Sequence, residues 1–263
     1  MIHTRRFGAP GGVPTVMAHC FMGHSGPWGP MAEAITPTLD ALAFDMPGHG
    51  RSPMPDRVED LQTQVVSLID GMVAKPSLLI GHSFGGVAML RFALHNPARV
   101  LGLVMIEPVF IAAASLDPAY TPEEGESRYL DLAGEGRFED AAREFFTYNN
   151  PTRDWMSLPE AARTMMANQM RLLPANQPGA ASDPGQLLVP GLMEGFAPPV
   201  LLIGGARSPA LFPAIIRTLS KRLPTAESVM IEGAGHMVPM THATQTADHI
   251  SRWMRKNRVP PVA

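Results

Sequence analysis

The sequence predicts an α/β fold in which a mostly parallel sheet is flanked by helices and carries a helical cap insertion. Two observations support this fold class. Short apolar runs that end in Gly, His, Asp or Glu recur along the chain, as is typical of strands buried on both faces of a parallel sheet. Segments with helical spacing separate these runs, whereas residues 109–195 contain helical patterns without a convincing strand.

The predicted strands and core helices alternate along the chain. Each apolar run is short and is bounded by turn residues, and each intervening segment repeats its apolar side chains at the spacing of a helix. We therefore expect helices on both faces of the sheet. The predicted strands are residues 15–19, 41–45, 77–81, 100–107, 200–204 and 228–232, and the predicted core helices are residues 58–73, 86–95 and 211–223.

The cap divides the core, so we predict a first core part at 1–108, a cap at 109–195 and a second core part at 196–263. One cap helix is predicted over 137–148. A second is predicted to begin at Ser157, because Glu160 lies at the spacing of a capping box. The stretches rich in Pro and Gly are interpreted as loops; they contain Pro174, Pro178, Gly179, Pro184, Gly185, Pro190 and Gly191.

Composition excludes several classes of function. The 263 residues are 45% hydrophobic and 17% charged with a net charge of −3, which gives no electrostatic footprint for nucleic acid or an anionic membrane. Cys20 is the single cysteine, which excludes an internal disulfide and agrees with a reducing compartment. The N-terminus lacks a signal-like apolar stretch, and the most apolar segment, residues 100–114, is too short to span a bilayer. We expect a cytoplasmic protein.

Ser83 is the predicted nucleophile. Residues 81–85 read Gly-His-Ser-Phe-Gly and stand between a predicted strand and a predicted helix. A G-x-S-x-G string in this context is typical of a nucleophile elbow, in which glycines permit a sharp turn that exposes the serine hydroxyl. An incidental serine in a Gly-rich turn is the alternative, and the strand–turn–helix context favours the elbow.

His236 is the predicted general base. It lies in a Gly-Ala-Gly-His loop after the last predicted strand, and the glycines allow the loop to carry the imidazole over the carboxyl edge of the sheet. The chain has nine histidines. His82 adjoins the nucleophile, where neighbouring side chains point apart, and His49 lies in a Pro-Gly-His-Gly turn that we interpret as structural.

Residues 19–23, which read His-Cys-Phe-Met-Gly, follow the first predicted strand. We expect the backbone N–H of Phe21 to pair with that of Phe84 and form an oxyanion hole for a tetrahedral intermediate. A strand-end turn without a catalytic role is the alternative for this segment taken alone.

Together these motifs resemble the α/β-hydrolase superfamily over nearly the whole chain. The matching segments are residues 19–23, 44–52, 81–86 and 233–236. The resemblance implies the α/β-hydrolase fold, a triad in the order serine, acid, histidine, and no cofactor or metal. Residues 45–52 resemble a segment that is mainly architectural, so they receive no chemistry. Cys20 stands where the family usually has glycine, and we expect it to be a buried, small apolar group.

The triad acid departs from the common family pattern. Most members place an aspartate after the strand that residues 200–204 represent, but the following residues read Gly-Ala-Arg-Ser-Pro. Some haloalkane-dehalogenase-like members take the acid from the end of the strand after the elbow helix, where this chain has Glu107. A glutamate that ends so apolar a strand needs a partner such as an imidazolium. A surface glutamate at the strand exit is the alternative; with Glu107 as the acid, Ser208 is at most a minor hydrogen-bonding partner.

Serine as nucleophile restricts the reaction. Dehalogenases and epoxide hydrolases of this fold use aspartate at the elbow, whereas serine forms an acyl-enzyme that water resolves. The sequence predicts a cofactor-independent serine hydrolase acting on a small or medium apolar ester or thioester. The alternatives are a carbon–carbon bond hydrolase of a diketone-like substrate, acyl transfer or perhydrolysis, and a hydrolase-fold ligand receptor. Polar or basic cap residues facing the pocket would favour carbon–carbon cleavage.

Apolar cap residues are expected to line an adaptable pocket above Ser83. The expected partner is a small apolar acyl substrate, with no nucleic acid and no membrane, and a homodimer is left open. The candidate substrate-binding residues are Trp28, Phe145, Met165 and Met166.

Overall fold

One sheet of seven strands organises the part of the chain that the structure, a computed structural model, describes: residues 1–55, 60–123 and 127–259. The strand order is β1-β3-β2-β4-β5-β6-β7. β1 runs antiparallel to β3, and the other neighbouring pairs are parallel. The mostly parallel sheet is therefore confirmed. The strands are β1 (Thr4–Gly8), β2 (Val13–Ala18), β3 (Leu39–Phe44), β4 (Ser77–His82), β5 (Val100–Ile106), β6 (Val200–Gly205) and β7 (Ala226–Ile231).

Helices cover both faces of this sheet, because alternate side chains of its central strands are apolar on each face. The helices are α1 (Gly29–Ala34), α2 (Leu61–Met72), α3 (Phe84–His95), α4 (Ile111–Ala114), α5 (Arg128–Gly134), α6 (Phe138–Asn149), α7 (Glu160–Gln169), α8 (Leu173–Ala181), α9 (Leu211–Arg222), α10 (Val238–Thr241) and α11 (Ala243–Lys256).

Two apolar clusters lie on opposite faces of the sheet. Leu79 of β4 faces the cluster that α2, α3 and α9 complete, whereas its neighbours Leu78 and Ile80 face the cluster completed by Met31 of α1 and Trp253 of α11. These side chains are buried. Burial of apolar surface on both faces holds the parallel strands in a single register.

The register aligns the carboxyl ends of the strands that carry the candidate site. His82 of β4 pairs with Ile106 of β5, and Ile106 pairs with Ile203 of β6. On the other side of β4, Gly81 pairs with Ala18 of β2. Residues that follow β2, β4, β5 and β7 consequently meet at one edge of the sheet.

Several elements were not predicted from the sequence, among them β1, α1, α10 and α11. β1 alternates exposed and partly buried residues at the edge of the sheet, so it shows no apolar run. α11 is strongly amphipathic, and its apolar side chains are spread among charged residues. The predicted helix at 58–73 is observed from Leu61, with the Asp60 carboxylate capping the N–H groups of the first turn; Val58 lies outside the described residues.

The capping-box prediction at Ser157 is wrong. The Ser157 hydroxyl donates to the carbonyl oxygen of Asp154 at 2.6 Å, within a single 3₁₀ turn. α7 begins three residues later, at Glu160, after Pro159. Proline fixes φ and has no N–H to leave unpaired, so it suits the start of a helix.

The loop prediction around Pro174, Pro178 and Gly179 is also wrong, because these residues belong to α8. Pro174 lies in the first turn, where a missing N–H costs nothing. Gly179 packs closely against Gln62 of α2, whose amide donates to the Gly179 carbonyl oxygen at 2.9 Å. This tertiary contact outweighs the poor helix propensity. The division into core and cap at 108 and 195 stays a prediction.

Candidate active site

Ser83 occupies a strained turn between β4 and α3. Its φ of 56° and ψ of −120° are unusual for a residue with a side chain. The flanking glycines are required by close approach. A Cβ atom on Gly81 would lie 2.5 Å from the carbonyl oxygen of Gly85, and one on Gly85 would lie 2.3 Å from that of Ala18. The turn therefore projects Ser83 at the sheet edge only with glycine at both positions.

A hydrogen-bonded relay joins the three residues predicted as a triad. Ser83 Oγ lies 3.1 Å from Nε2 of His236, and Nδ1 of His236 lies 3.3 Å from Oε2 of Glu107. The other carboxyl oxygen of Glu107 accepts from the N–H of Gly205 at 2.6 Å. All three side chains are buried. This chain of contacts is the arrangement that transfers a proton from a serine to an imidazole.

Glu107 owes its position to the end of β5. Its backbone N–H donates to the Ile203 carbonyl oxygen at 2.8 Å, which continues the pairing with β6. A φ of 47° then turns the chain, and the carboxyl points back toward the loop that holds His236. Ser208, in the loop without a carboxylate, interacts with this carboxyl, although its Oγ has no partner at strict hydrogen-bond geometry.

Burial controls the protonation of the relay. Removal from water raises the pKa of Glu107 from 4.5 to about 7. The N–H of Gly205 and the side chain of Ser208 lower this pKa, but their effect is smaller than that of burial. Burial also lowers the pKa of His236 from 6.5 to about 3. His236 is therefore neutral near pH 7 and able to accept a proton on Nε2.

Two aromatic rings fix the imidazole of His236. Phe212 stacks on it with ring centroids 4.2 Å apart. His82 donates from Nε2 to the backbone carbonyl oxygen of His236 at 2.9 Å, and burial holds the pKa of His82 well below its ordinary value. The side chain of His82 thus ties the elbow to the histidine loop. Sequence reasoning missed this role, because no local pattern reveals which loop a strand-end side chain will meet.

The segment after β2 forms a tight loop beside Ser83. His19 donates from Nδ1 to the carbonyl oxygen of Cys20 at 2.7 Å and accepts from the N–H of Met46 at 2.9 Å. Phe21 and Phe84 are buried. Among the hydrogen bonds of the described residues, none uses the backbone N–H of either phenylalanine. Two unpaired donors beside Ser83, one at the elbow and one in the loop after β2, are what an oxyanion hole requires.

Two cavities adjoin the relay. The outer cavity, of about 300 Å³, is bounded by the loop after β2, His236 and helices α6 and α7. The inner chamber, of about 50 Å³, is bounded by Ser83, α4, α8 and the start of α9. Phe21, Phe145 and Asn149 line both. The site is therefore divided into a large and a small compartment.

A family model described as the alpha/beta hydrolase family matches residues 15–249. The chain belongs to this family. The resemblance that the motifs predicted is thereby confirmed. In this alpha/beta hydrolase Glu107 directly follows β5, one strand before the loop that follows β6.

Curated relatives of this alpha/beta hydrolase include ester-cleaving proteins. It is 26% identical to lipase LipV of Mycobacterium tuberculosis, over 94% of this chain and 95% of that protein. It is 24% identical to a pimeloyl-[acyl-carrier protein] methyl ester esterase of Xanthomonas campestris, over 92% of this chain and 95% of that protein. Family and relatives together identify a hydrolase with lipase and esterase homologues.

Solved structures show the same fold. Haloalkane dehalogenase DbeA from Bradyrhizobium elkani matches with a TM-score of 0.74 and 17% identity, over 98% of this chain and 94% of that one. A 2-hydroxy-6-oxo-6-phenylhexa-2,4-dienoate hydrolase from Rhodococcus matches with a TM-score of 0.74 and 19% identity, over 97% of this chain and 99% of that one. At these identities the likeness concerns the fold alone.

The predicted substrate-binding residues Trp28, Phe145, Met165 and Met166 all line the outer cavity. Methionines cluster there, since Met22, Met237 and Met240 also line it. The expectation of an apolar lining from the predicted cap is incomplete, however, because Asn149, Asn150 and Arg153 of that segment also line the cavity. Sequence reasoning missed these polar residues; they stand at and just after the end of α6, where the orientation of side chains depends on how the cap packs.

Other kinds of site are not evident in the described part of the chain. No cluster of three or more His, Cys, Asp or Glu side chains that could hold a metal ion occurs among residues 1–55, 60–123 and 127–259. Within the same ranges, no helix combines the length and apolar character needed to cross a bilayer.

Proposed function

We propose that this protein is a cofactor-independent serine hydrolase that cleaves a small or medium apolar ester or thioester through an acyl-enzyme. The observation that carries the proposal is the unbroken relay from Ser83 through His236 to Glu107. The lipase and the esterase among its full-length relatives support ester cleavage.

Acylation begins when Ser83 Oγ attacks the carbonyl carbon of the ester and its proton passes to Nε2 of His236. The N–H groups of Phe21 and Phe84 hold the negative oxygen of the tetrahedral intermediate. Glu107 accepts from Nδ1 and stabilises the imidazolium. Nε2 then gives its proton to the leaving oxygen or sulfur, the bond from the carbonyl carbon breaks, and the acyl group stays on Ser83.

Deacylation repeats these steps with water. Nε2 of His236 takes a proton from a water molecule as its oxygen attacks the acyl carbon, and the same two N–H groups hold the new oxyanion. Collapse of the intermediate returns the proton from Nε2 to Ser83 Oγ and releases the acid. Because each proton enters and leaves through His236, the cycle needs no metal or organic cofactor.

A second candidate function is hydrolysis of a carbon–carbon bond in a diketone-like substrate, which the same relay could perform. The cap residues Asn149, Asn150 and Arg153 at the outer cavity favour it, because a cation and two amides can bind the oxygen atoms of such a substrate. The Rhodococcus hydrolase with the same fold acts on a substrate of this kind, according to its name. An Arg153→Ala variant separates the candidates, since it would impair diketone cleavage and spare simple aliphatic esters.

The proposal also competes with a ligand receptor built on the hydrolase fold. A fluorophosphonate probe tests this point, because it reacts only with an activated serine. We expect one adduct, located on Ser83 by peptide mass spectrometry, and turnover of p-nitrophenyl esters. A Ser83→Ala variant should show neither. Absence of both the adduct and the turnover in the native protein would rule out the hydrolase.

A further inference from the structure

The two cavities contact different members of the relay. His236 lines the outer cavity, together with Met237 and with Met240 of α10. Ser83 and Phe84 line the inner chamber, whose wall also includes Phe212, the ring that stacks on His236. The reacting carbonyl must therefore lie between the cavities, with one substituent in each.

Proton transfer determines which substituent lies where. The leaving oxygen or sulfur receives its proton from Nε2 of His236, so the leaving group extends on the side of that ring. The acyl carbon stays bonded to Ser83 Oγ, with its oxygen held at the N–H groups of Phe21 and Phe84. We propose that the inner chamber binds the acyl group and admits only short ones, while the outer cavity accepts a larger alcohol or thiol part. This proposal rests on the serine hydrolase function.

The volumes set the size limits. A group the size of a water molecule needs roughly 10–15 Å³ of cavity volume. The inner chamber, of about 50 Å³, therefore accommodates only a few non-hydrogen atoms. Acetyl to butyryl groups match that size. The outer cavity, at about 300 Å³, has room for a much larger leaving group.

Asn176 reinforces the limit. This α8 residue is 5% exposed and lines the inner chamber, and its Oδ1 is buried without a hydrogen-bond partner. In the described part of the chain its amide forms no hydrogen bond at all. Oδ1 is already shielded from water, and a long alkyl chain would cover the remaining exposed surface of Asn176 without offering a hydrogen-bond partner, which disfavours binding. Asn176 is thus a specificity-determining residue against long acyl groups.

Wild-type specificity is the first test. With p-nitrophenyl acetate, butyrate and octanoate the leaving group is constant, and we expect kcat/KM to fall about tenfold or more from butyrate to octanoate. With acetate esters of methanol, butanol and 1-naphthol the acyl group is constant, and we expect no comparable fall as the alcohol grows. Equal or faster cleavage of octanoate would overturn the proposal.

Matched variants locate the effect. Ile111→Ala enlarges the inner chamber and Asn176→Leu removes its amide, so each should raise the octanoate-to-butyrate ratio of kcat/KM about tenfold. Met166→Ala enlarges only the outer cavity and should leave that ratio unchanged. The opposite pattern, with Met166→Ala raising the ratio and Ile111→Ala not, would exchange the two subsites and refute the assignment.

The two proposals fail differently. If the native protein neither cleaves any ester nor forms the fluorophosphonate adduct, the hydrolase function fails. If it does both but shows no preference for short acyl groups, only the assignment of the inner chamber fails. Thermal unfolding of each variant shows whether a change in the octanoate-to-butyrate ratio of kcat/KM results from loss of the folded structure.

Discussion

At the scale of single residues, hydrogen bonds hold both carboxyl oxygens and the backbone N–H of Glu107. Oε1 accepts from the N–H of Gly205, Oε2 faces His236, and the backbone N–H is bound to Ile203. A positive φ in a residue with a Cβ atom costs about 1 kcal/mol or more, so these contacts must maintain it. The carboxyl is consequently fixed before any substrate arrives, which is the condition for efficient electrostatic catalysis.

A Glu107→Gln variant should lower kcat for p-nitrophenyl esters by about 10³–10⁴-fold. The new amide would turn its oxygen to the N–H of Gly205 and its NH₂ group to His236. Nδ1 would then have to accept instead of donating, which selects the tautomer that cannot take the proton of Ser83. Steady-state kinetics measures the loss.

A Glu227→Gln variant is the control for this substitution. Glu227 lies on β7 and pairs with Lys256 at the surface, so its kcat should match the native value. Native turnover in Glu107→Gln would mean that another group, and not Glu107, supports His236.

At the scale of elements, the turn between β4 and α3 depends on backbones that touch. Gly85 faces the carbonyl oxygens of Ala18 and His19 at the end of β2, and these residues begin the loop that carries Phe21. Hence one close contact sets the distance between the N–H groups of Phe84 and Phe21. Stability and the geometry of the proposed oxyanion hole are coupled at this position.

A Gly85→Ala variant should lose about 1–3 kcal/mol of unfolding free energy or more, together with most of its esterase activity. The added Cβ would lie 2.3 Å from the Ala18 carbonyl oxygen and 2.5 Å from that of His19, so β2 and α3 must separate. Urea unfolding and ester turnover report the two effects.

Gly71→Ala is the matched control. Gly71 lies in α2, and a Cβ there would meet nothing within 4 Å. Alanine in an open helical position stabilises by about 0.5–1 kcal/mol, and activity should not change. A Gly85→Ala variant as stable and active as Gly71→Ala would refute the close-contact argument.

The site could be predicted where its chemistry depends on local sequence. The string around Ser83, the Gly-rich loop of His236 and the apolar strand before Glu107 each place one residue at a strand end, and parallel pairing brings strand ends together. Asn149 and Asn176 could not be found this way. They lie on α6 and α8, whose inward faces depend on packing against the rest of the protein. No periodic signal distinguishes a polar residue aimed into a chamber from one aimed at water.

The same reasoning explains the errors in the fold. α8 forms despite its prolines because Gln62, distant in sequence, anchors Gly179. Ser157 matched a capping pattern, yet its hydroxyl is used by the preceding turn. In both cases a contact that sequence spacing does not encode outweighed a local preference.

At the scale of the whole molecule, the carboxyl edge of the sheet buries four neutral histidines: His19, His49, His82 and His236. Burial lowers the pKa of His19 and His236 to about 3 and that of His49 to about 4, and it holds the pKa of His82 well below 6.5. Unfolding exposes all four to water. Below pH 6.5 the unfolded chain therefore binds protons that the folded chain does not.

The free energy of unfolding should fall steeply as pH drops from 6.5 toward 4, by about 1.4 kcal/mol per pH unit for each histidine that stays neutral in the folded state. Glu107 opposes this trend, because its raised pKa makes the folded chain bind an extra proton between pH 4.5 and about 7. We expect a net uptake of about three protons on unfolding at pH 5.5. Urea titrations at several pH values measure it.

A His49→Gln variant should reduce that uptake by about one proton. His49 is suited to the test because its contacts are a hydrogen bond to the Pro47 carbonyl oxygen and the rings of His19 and Phe21, outside the relay. An uptake near zero at pH 5.5 would contradict the burial of neutral histidines.

The buried Cys20 gives this protein an intrinsic chemical probe of the loop after β2. Burial raises the pKa of its thiol to about 12, so almost no thiolate exists at neutral pH while the loop after β2 is closed. A thiol reagent should therefore alkylate Cys20 far more slowly in the folded protein than in the unfolded chain, although the residue lines the outer cavity. Because the chain has one cysteine, the rate of alkylation reports on the burial of the loop beside Ser83, with no label introduced and no residue replaced.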